Sequence, residues 1–60
     1  MTLWELYLVT TYDTNVSIYN ADKNSYVYQG KNANIPLFCM NCRIINVTVC
    51  DNSELLITIW

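Results

Sequence analysis

Cys39-Met40-Asn41-Cys42 is the spacing in this chain that names a chemistry most directly. Two thiols with two residues between them can exchange disulfides or supply half of a zinc site. A redox pair belongs at a helix N-terminus within a thioredoxin-like unit, and here the pair precedes a strand pattern in a chain of 60 residues, too short for that unit. A structural zinc site needs four ligands. The chain has three cysteines and no histidine, so one copy cannot complete a thiolate/imidazole set. Two copies could build Cys₄ from two C-x-x-C pairs and leave Cys50 out. The simpler reading makes the cysteines small apolar side chains. The expectation is therefore no metal and no cofactor, with a zinc- or redox-linked module on Cys39 and Cys42 as the alternative.

Other chemistries lack their parts. Without histidine there is no base that titrates near neutrality and no imidazole to activate a cysteine. The carboxylates are Glu5, Asp13, Asp22, Asp51 and Glu54; Asp51 and Glu54 lie close across one turn, where hydrogen bonding and solvation explain them. One glycine cannot make a phosphate-cradling loop. A drug-sized pocket starts at about 300 Å³, more than so small a chain readily encloses. The expectation is a protein that is not an enzyme. Trp4, Tyr7, Tyr12, Tyr19, Tyr26, Tyr28 and Trp60 could form a stacking platform for single-stranded nucleic acid. Such platforms line a basic groove, and three Lys/Arg at a net charge of −2 cannot make one. Direct nucleic-acid binding is not expected.

The elements that would carry these residues read as follows. Thr2-Leu3-Trp4-Glu5 has the form of a capping box. Leu3, Leu6, Tyr7 and Thr10 share a helical face, which predicts a helix from Thr2 to about Thr10. Val16–Asn20 and Ser25–Gly30 form a hairpin, Ile18 opposite Tyr26 and Val16 opposite Tyr28, with Ala21, Asp22 and Lys23 at the tip. A one-residue shift would turn Val27 inward instead. Asn34-Ile35-Pro36 opens a short helix or 3-10 turn to Asn41, in which Ile35, Leu37 and Phe38 cover one end of the core. Arg43–Cys50 and Glu54–Trp60 alternate clearly and pair Val49 with Leu55, Val47 with Ile57 and Ile45 with Ile59. Their tip is Asp51-Asn52-Ser53, and Ser53 occupies a place that prefers Gly or Asn.

The fold expectation is one α+β domain spanning residues 1–60. Its N-terminal helix packs on a four-stranded antiparallel sheet, two hairpins joined by a short helix or 3-10 turn. Val16, Ile18, Ile45, Val47, Ile57 and Ile59 would face the helix. The outer face would carry Tyr19, Val27, Ile44, Leu56 and Trp60 among Ser17, Asn46 and Thr48, less polar than a solvated face should be. The chain is 53% hydrophobic and 13% charged, which excludes a disordered tail. A chain of this length buries only about 60% of its unfolded surface, so large apolar groups must stay outside and self-association follows. No run of roughly 20 apolar residues predicts a membrane span. No basic segment precedes a small-residue cleavage site, and the odd cysteine count fits reduced thiols. The expected location is the cytoplasm.

The Thr2-x-x-Glu5 helix, Val16-Ser17-Ile18-Tyr19, Tyr28-Gln29-Gly30 followed by Ile35-Pro36, and the closing hairpin resemble short uncharacterised proteins of low-GC Gram-positive bacteria and their phages or prophages. Neither the C-x-x-C nor Trp60 belongs to that pattern. The resemblance implies a small protein that blocks a host protein, as anti-CRISPR and other anti-defence inhibitors do. The expected function is thus a phage-encoded, non-enzymatic inhibitor of a bacterial defence protein that acts by steric occlusion. Its contact residues would be Tyr19, Ile44, Leu56 and Trp60, with Asp51 and Glu54 at the rim. A structural subunit of a phage or bacterial complex is the other alternative.

Overall fold

A computed structural model describes every residue, Met1–Trp60. The helix forms where its cap predicts: α1 covers Leu3–Val9 between caps at Thr2 and Thr10. Both halves of the capping box are made. Thr2 N–H donates to Glu5 Oε1 at 2.8 Å, and Glu5 N–H donates to Thr2 Oγ1 at 3.4 Å. Four strands follow: β1 Asn15–Asn20, β2 Ser25–Lys31, β3 Ile44–Val49 and β4 Leu55–Ile59. Two 3-10 turns, Asn32–Asn34 and Leu37–Cys39, lie between β2 and β3.

The sheet order is β2-β1-β4-β3. The two hairpins are antiparallel as expected, but they meet through a parallel β1–β4 pair. The sheet is therefore mixed, not purely antiparallel. The cause is the connector. β3 must start beside the end of β4, at Ile44↔Ile59, whereas β2 ends beside the start of β1, at Asn15↔Lys31. The chain has to travel the full length of the sheet between them, and residues 32–43 have that reach at roughly 3.3 Å per extended residue. A parallel neighbour requires such a crossover, whereas an antiparallel one needs only a short turn.

Helix and connector lie side by side, tied at both ends. Near the start of α1, Leu3 N–H donates to Cys42 O and Trp4 N–H to Met40 O, both at 3.0 Å. At the other end the buried Asn32 amide donates to Tyr7 O at 3.3 Å and Thr10 O at 3.2 Å. Asn32 thereby pairs Thr10 O, at the helix C-terminus where carbonyls lack intrahelical partners, and adds a second donor to Tyr7 O, which already accepts from Thr10 N–H. Beneath them Leu3, Val16, Ile18, Ile35, Cys39, Met40, Ile57 and Ile59 form the core. Leu37 and Phe38, expected to cover the core, are strongly exposed instead. A 3-10 turn advances 120° per residue, so one residue in three faces inward; here it is Cys39.

Both edge strands carry a β-bulge, and each alters a register. In the first hairpin Ile18 pairs with Tyr28 and Val16 with Gly30, a two-residue slip from the expected pairing. The bulge after Ile18 then sets Tyr19 opposite Tyr26 and lets Val27 pack against the core. In the second hairpin Val49↔Leu55 and Val47↔Ile57 are as expected, but Ile44, not Ile45, opposes Ile59. The bulge exchanges the two isoleucines. Ile44 packs on the core, and Ile45 is 53% exposed.

Candidate functional site

α1, the connector and the core lie on one face of the sheet, and nothing covers the other. Directly opposed residues share a face, so the registers read the open face out in two rows. One row is Gln29, Ser17, Leu56 and Thr48; the other is Tyr26, Tyr19, Thr58 and Asn46. The Tyr19 and Tyr26 rings meet edge to face at 5.2 Å between centroids. The Tyr19 hydroxyl is hydrogen-bonded to the Asn24 side chain in the adjoining turn, which fixes the ring at the end of the face. Asn46 donates to Thr48 Oγ1 at 3.2 Å. None of these eight side chains is charged.

The expected contact residues separate on this framework. Tyr19 and Leu56 stand on the open face, half-buried among their neighbours. Trp60 follows β4 in the same alternation, held by its N–H donating to Arg43 O at 3.0 Å, and is 63% exposed. Ile44 is not on this face; the bulge has turned it to the core, as it has Val27 in β2, and Ile45 stands exposed in β3. Glu54 precedes β4 two residues from Leu56, in phase with it, and Asp51 lies in the exposed turn. Both sit at the end of β4 opposite Trp60, about 20 Å away at 3.3 Å per residue. The six residues therefore do not converge. Ile44 lies with the core, and the other five mark two ends and the middle of the open surface.

Two apolar features lie uncovered where Leu37 and Phe38 were expected to cap the core and Val47 to face the helix. One is the exposed Leu37–Phe38 pair, next to the Met40 carbonyl that binds Trp4. The other is Val47 and Val49, which point to the core side of β3 yet remain 38% and 69% exposed, because α1 does not reach them. The strand alternation showed their direction; only the course of helix and connector shows that they stay uncovered.

The cysteines divide by environment: Cys39 is buried, Cys42 half-buried and Cys50 exposed. Cys42 N–H donates to Cys39 O at 3.1 Å, closing the C-x-x-C into a turn. Burial, then the neighbouring Cys42, pushes the Cys39 thiol above its ordinary range. That disfavours the thiolate that metal binding and disulfide exchange both use. No three metal-ligating side chains gather anywhere in the fold. No helix is long and apolar enough to cross a membrane. No protein-family model, curated protein or solved structure matches this chain.

Proposed function

We propose that this chain is a non-enzymatic protein-binding protein and that the open sheet face is its contact surface. The observation that carries the reading is the composition of that face. It holds Tyr19, Tyr26 and Leu56 with Ile45 and Trp60 beside them, and not one charge among its eight central positions. Interface centres are depleted in charge and enriched in Tyr and Trp, whereas a sheet face left to water takes charged residues freely. Charge enters only beyond those eight positions, with Glu54 and Lys31 at one end and Arg43, beside Trp60, at the other.

The resemblance to small phage proteins supplies the finer proposal. The partner is a bacterial host defence protein, blocked sterically in the cytoplasm in the manner of an anti-CRISPR. The test is phage plaquing on a low-GC Gram-positive host that carries an active CRISPR defence. The intact protein is expected to restore plaquing, and Tyr19→Ser with Leu56→Ser to abolish the effect while the circular-dichroism spectrum stays unchanged. A folded double variant that protects the phage as well as the parent would remove this face from the function.

A further inference from the structure

We propose that β3 pairs edge to edge with β3 of a second copy, antiparallel about a two-fold axis at Thr48. This is a surface separate from the open face, and it stands whether or not that face binds a host protein.

β3 is hydrogen-bonded to a neighbouring strand on one side only. Its start is occupied: Thr2 bridges Arg43, and Ile44 N–H donates to Met1 O at 2.9 Å. Ile45 is taken up by the bulge. At the far end Cys50 N–H donates to Glu54 O at 2.8 Å, where the turn begins. The free edge therefore runs from Asn46 to Cys50, and its midpoint is Thr48. Antiparallel pairing of two identical segments about a two-fold puts the axis at that midpoint.

The hydrogen-bond phase agrees with that axis. Cys50 bonds toward β4, so the alternation of an antiparallel ladder turns Thr48 and Asn46 the same way. Val47 and Val49 then direct their N–H and C=O groups away from the sheet. With Thr48 on the axis, Val47 of each copy lies opposite Val49 of the other, and these outward groups bond one another in four hydrogen bonds.

The side chains agree as well. Val47 and Val49 are the apolar residues that α1 leaves uncovered on the core side, and pairing gathers two from each copy into one patch. No charge or proline interrupts β3, although charged and proline residues are how exposed edges are ordinarily guarded. β2, the other edge, is bracketed by Lys23 and Lys31. Arg43 lies before β3 and Asp51 after it. Antiparallel pairing sets each Arg43 beside the second copy's Asp51 turn, whereas parallel pairing would set like charges together.

The axis gives a gain-of-signal test. Thr48 pairs with itself across a non-hydrogen-bonded position, where Cα atoms lie about 4.5 Å apart, within disulfide range. Thr48→Cys in a Cys50→Ser background should form a reductant-sensitive dimer within minutes of mild oxidation. Asn46→Cys in the same background, placed opposite position 50, should form no cross-link on a non-reducing denaturing gel, nor should Cys50→Ser alone. A Thr48→Cys protein that does not cross-link, or an Asn46→Cys protein that cross-links equally fast, overturns the proposal.

Discussion

At the scale of single residues, several positions carry more than their type announces. Ser53 ends the β3–β4 turn at φ 66°, a left-handed conformation that favours glycine. Ser53→Gly should raise stability by about 0.5–1 kcal/mol, read as an upward shift in urea midpoint; a fall would contradict the turn assignment. Sequence alone marked this position as ill-suited to serine, because the loop length fixes its backbone. Asn32 was illegible by contrast. Its role depends on a helix end 22 residues away in sequence. Asn32→Asp would set a carboxylate against two carbonyls and should cost more than the roughly 1–3 kcal/mol of one unsatisfied buried group, checked by denaturant titration beside Asn32→Ala. Glu5 was legible and titrates with its cap. The Thr2 N–H, then its hydroxyl, hold the Glu5 carboxyl below its ordinary 4.5. A carboxylate favoured by the fold stabilises it above that value and loses the effect as pH falls through the lower, folded value. The melting-temperature gap between the parent and Glu5→Gln should be full at neutral pH and close on acidification. A gap independent of pH would mean that the charge is not involved. Thiol alkylation should proceed in the order Cys50, Cys42, Cys39, followed by mass spectrometry, because burial protects and protonates the last.

At the scale of elements, hydrophobic alternation and capping located α1 and all four strands, since both signals are local. What they could not reveal is where a strand gains a residue. The bulge in β3 leaves the number of apolar residues unchanged and merely selects which of two adjacent isoleucines enters the core. Ile44→Thr should therefore destabilise the fold by at least about 1 kcal/mol more than Ile45→Thr, measured by chemical denaturation; a larger loss from Ile45→Thr would argue for the unbulged register. Gly30 shows a similar dependence on its neighbour. Its φ is 156°, and a Cβ there would come within 2.7 Å of the Tyr28 hydroxyl oxygen, which donates to Lys31 O at 2.6 Å. The mixed sheet has a cause of the same kind. Strand patterns say nothing of hairpin order, but the 32–43 connector is too long for a simple turn, and that length is the signal that separates a crossover from an antiparallel meander.

At the scale of the whole molecule, a 60-residue chain can build only one covering layer. α1 and the connector cover β1, β4 and the Ile44 end of β3, and the remaining surface divides into an uncharged open face and an uncharged free edge. Composition foretold this excess of exposed apolar groups, since only ten residues are buried while Leu37, Phe38, Val49 and Trp60 are not. It did not foretell that the excess falls on two separate places, because the division follows from strand order and the path of the helix. On the proposal above, a dimer through β3 extends the sheet and leaves its outer surface open to a partner. The most direct measurement is molar mass by light scattering behind a sizing column, in reductant, across a range of concentrations. The account predicts a dimer for the parent protein, a dimer for the folded Tyr19→Ser with Leu56→Ser variant, and a monomer for folded Val49→Lys. A parent protein monomeric at every concentration, or a face variant that falls apart into monomers while Val49→Lys does not, would contradict it.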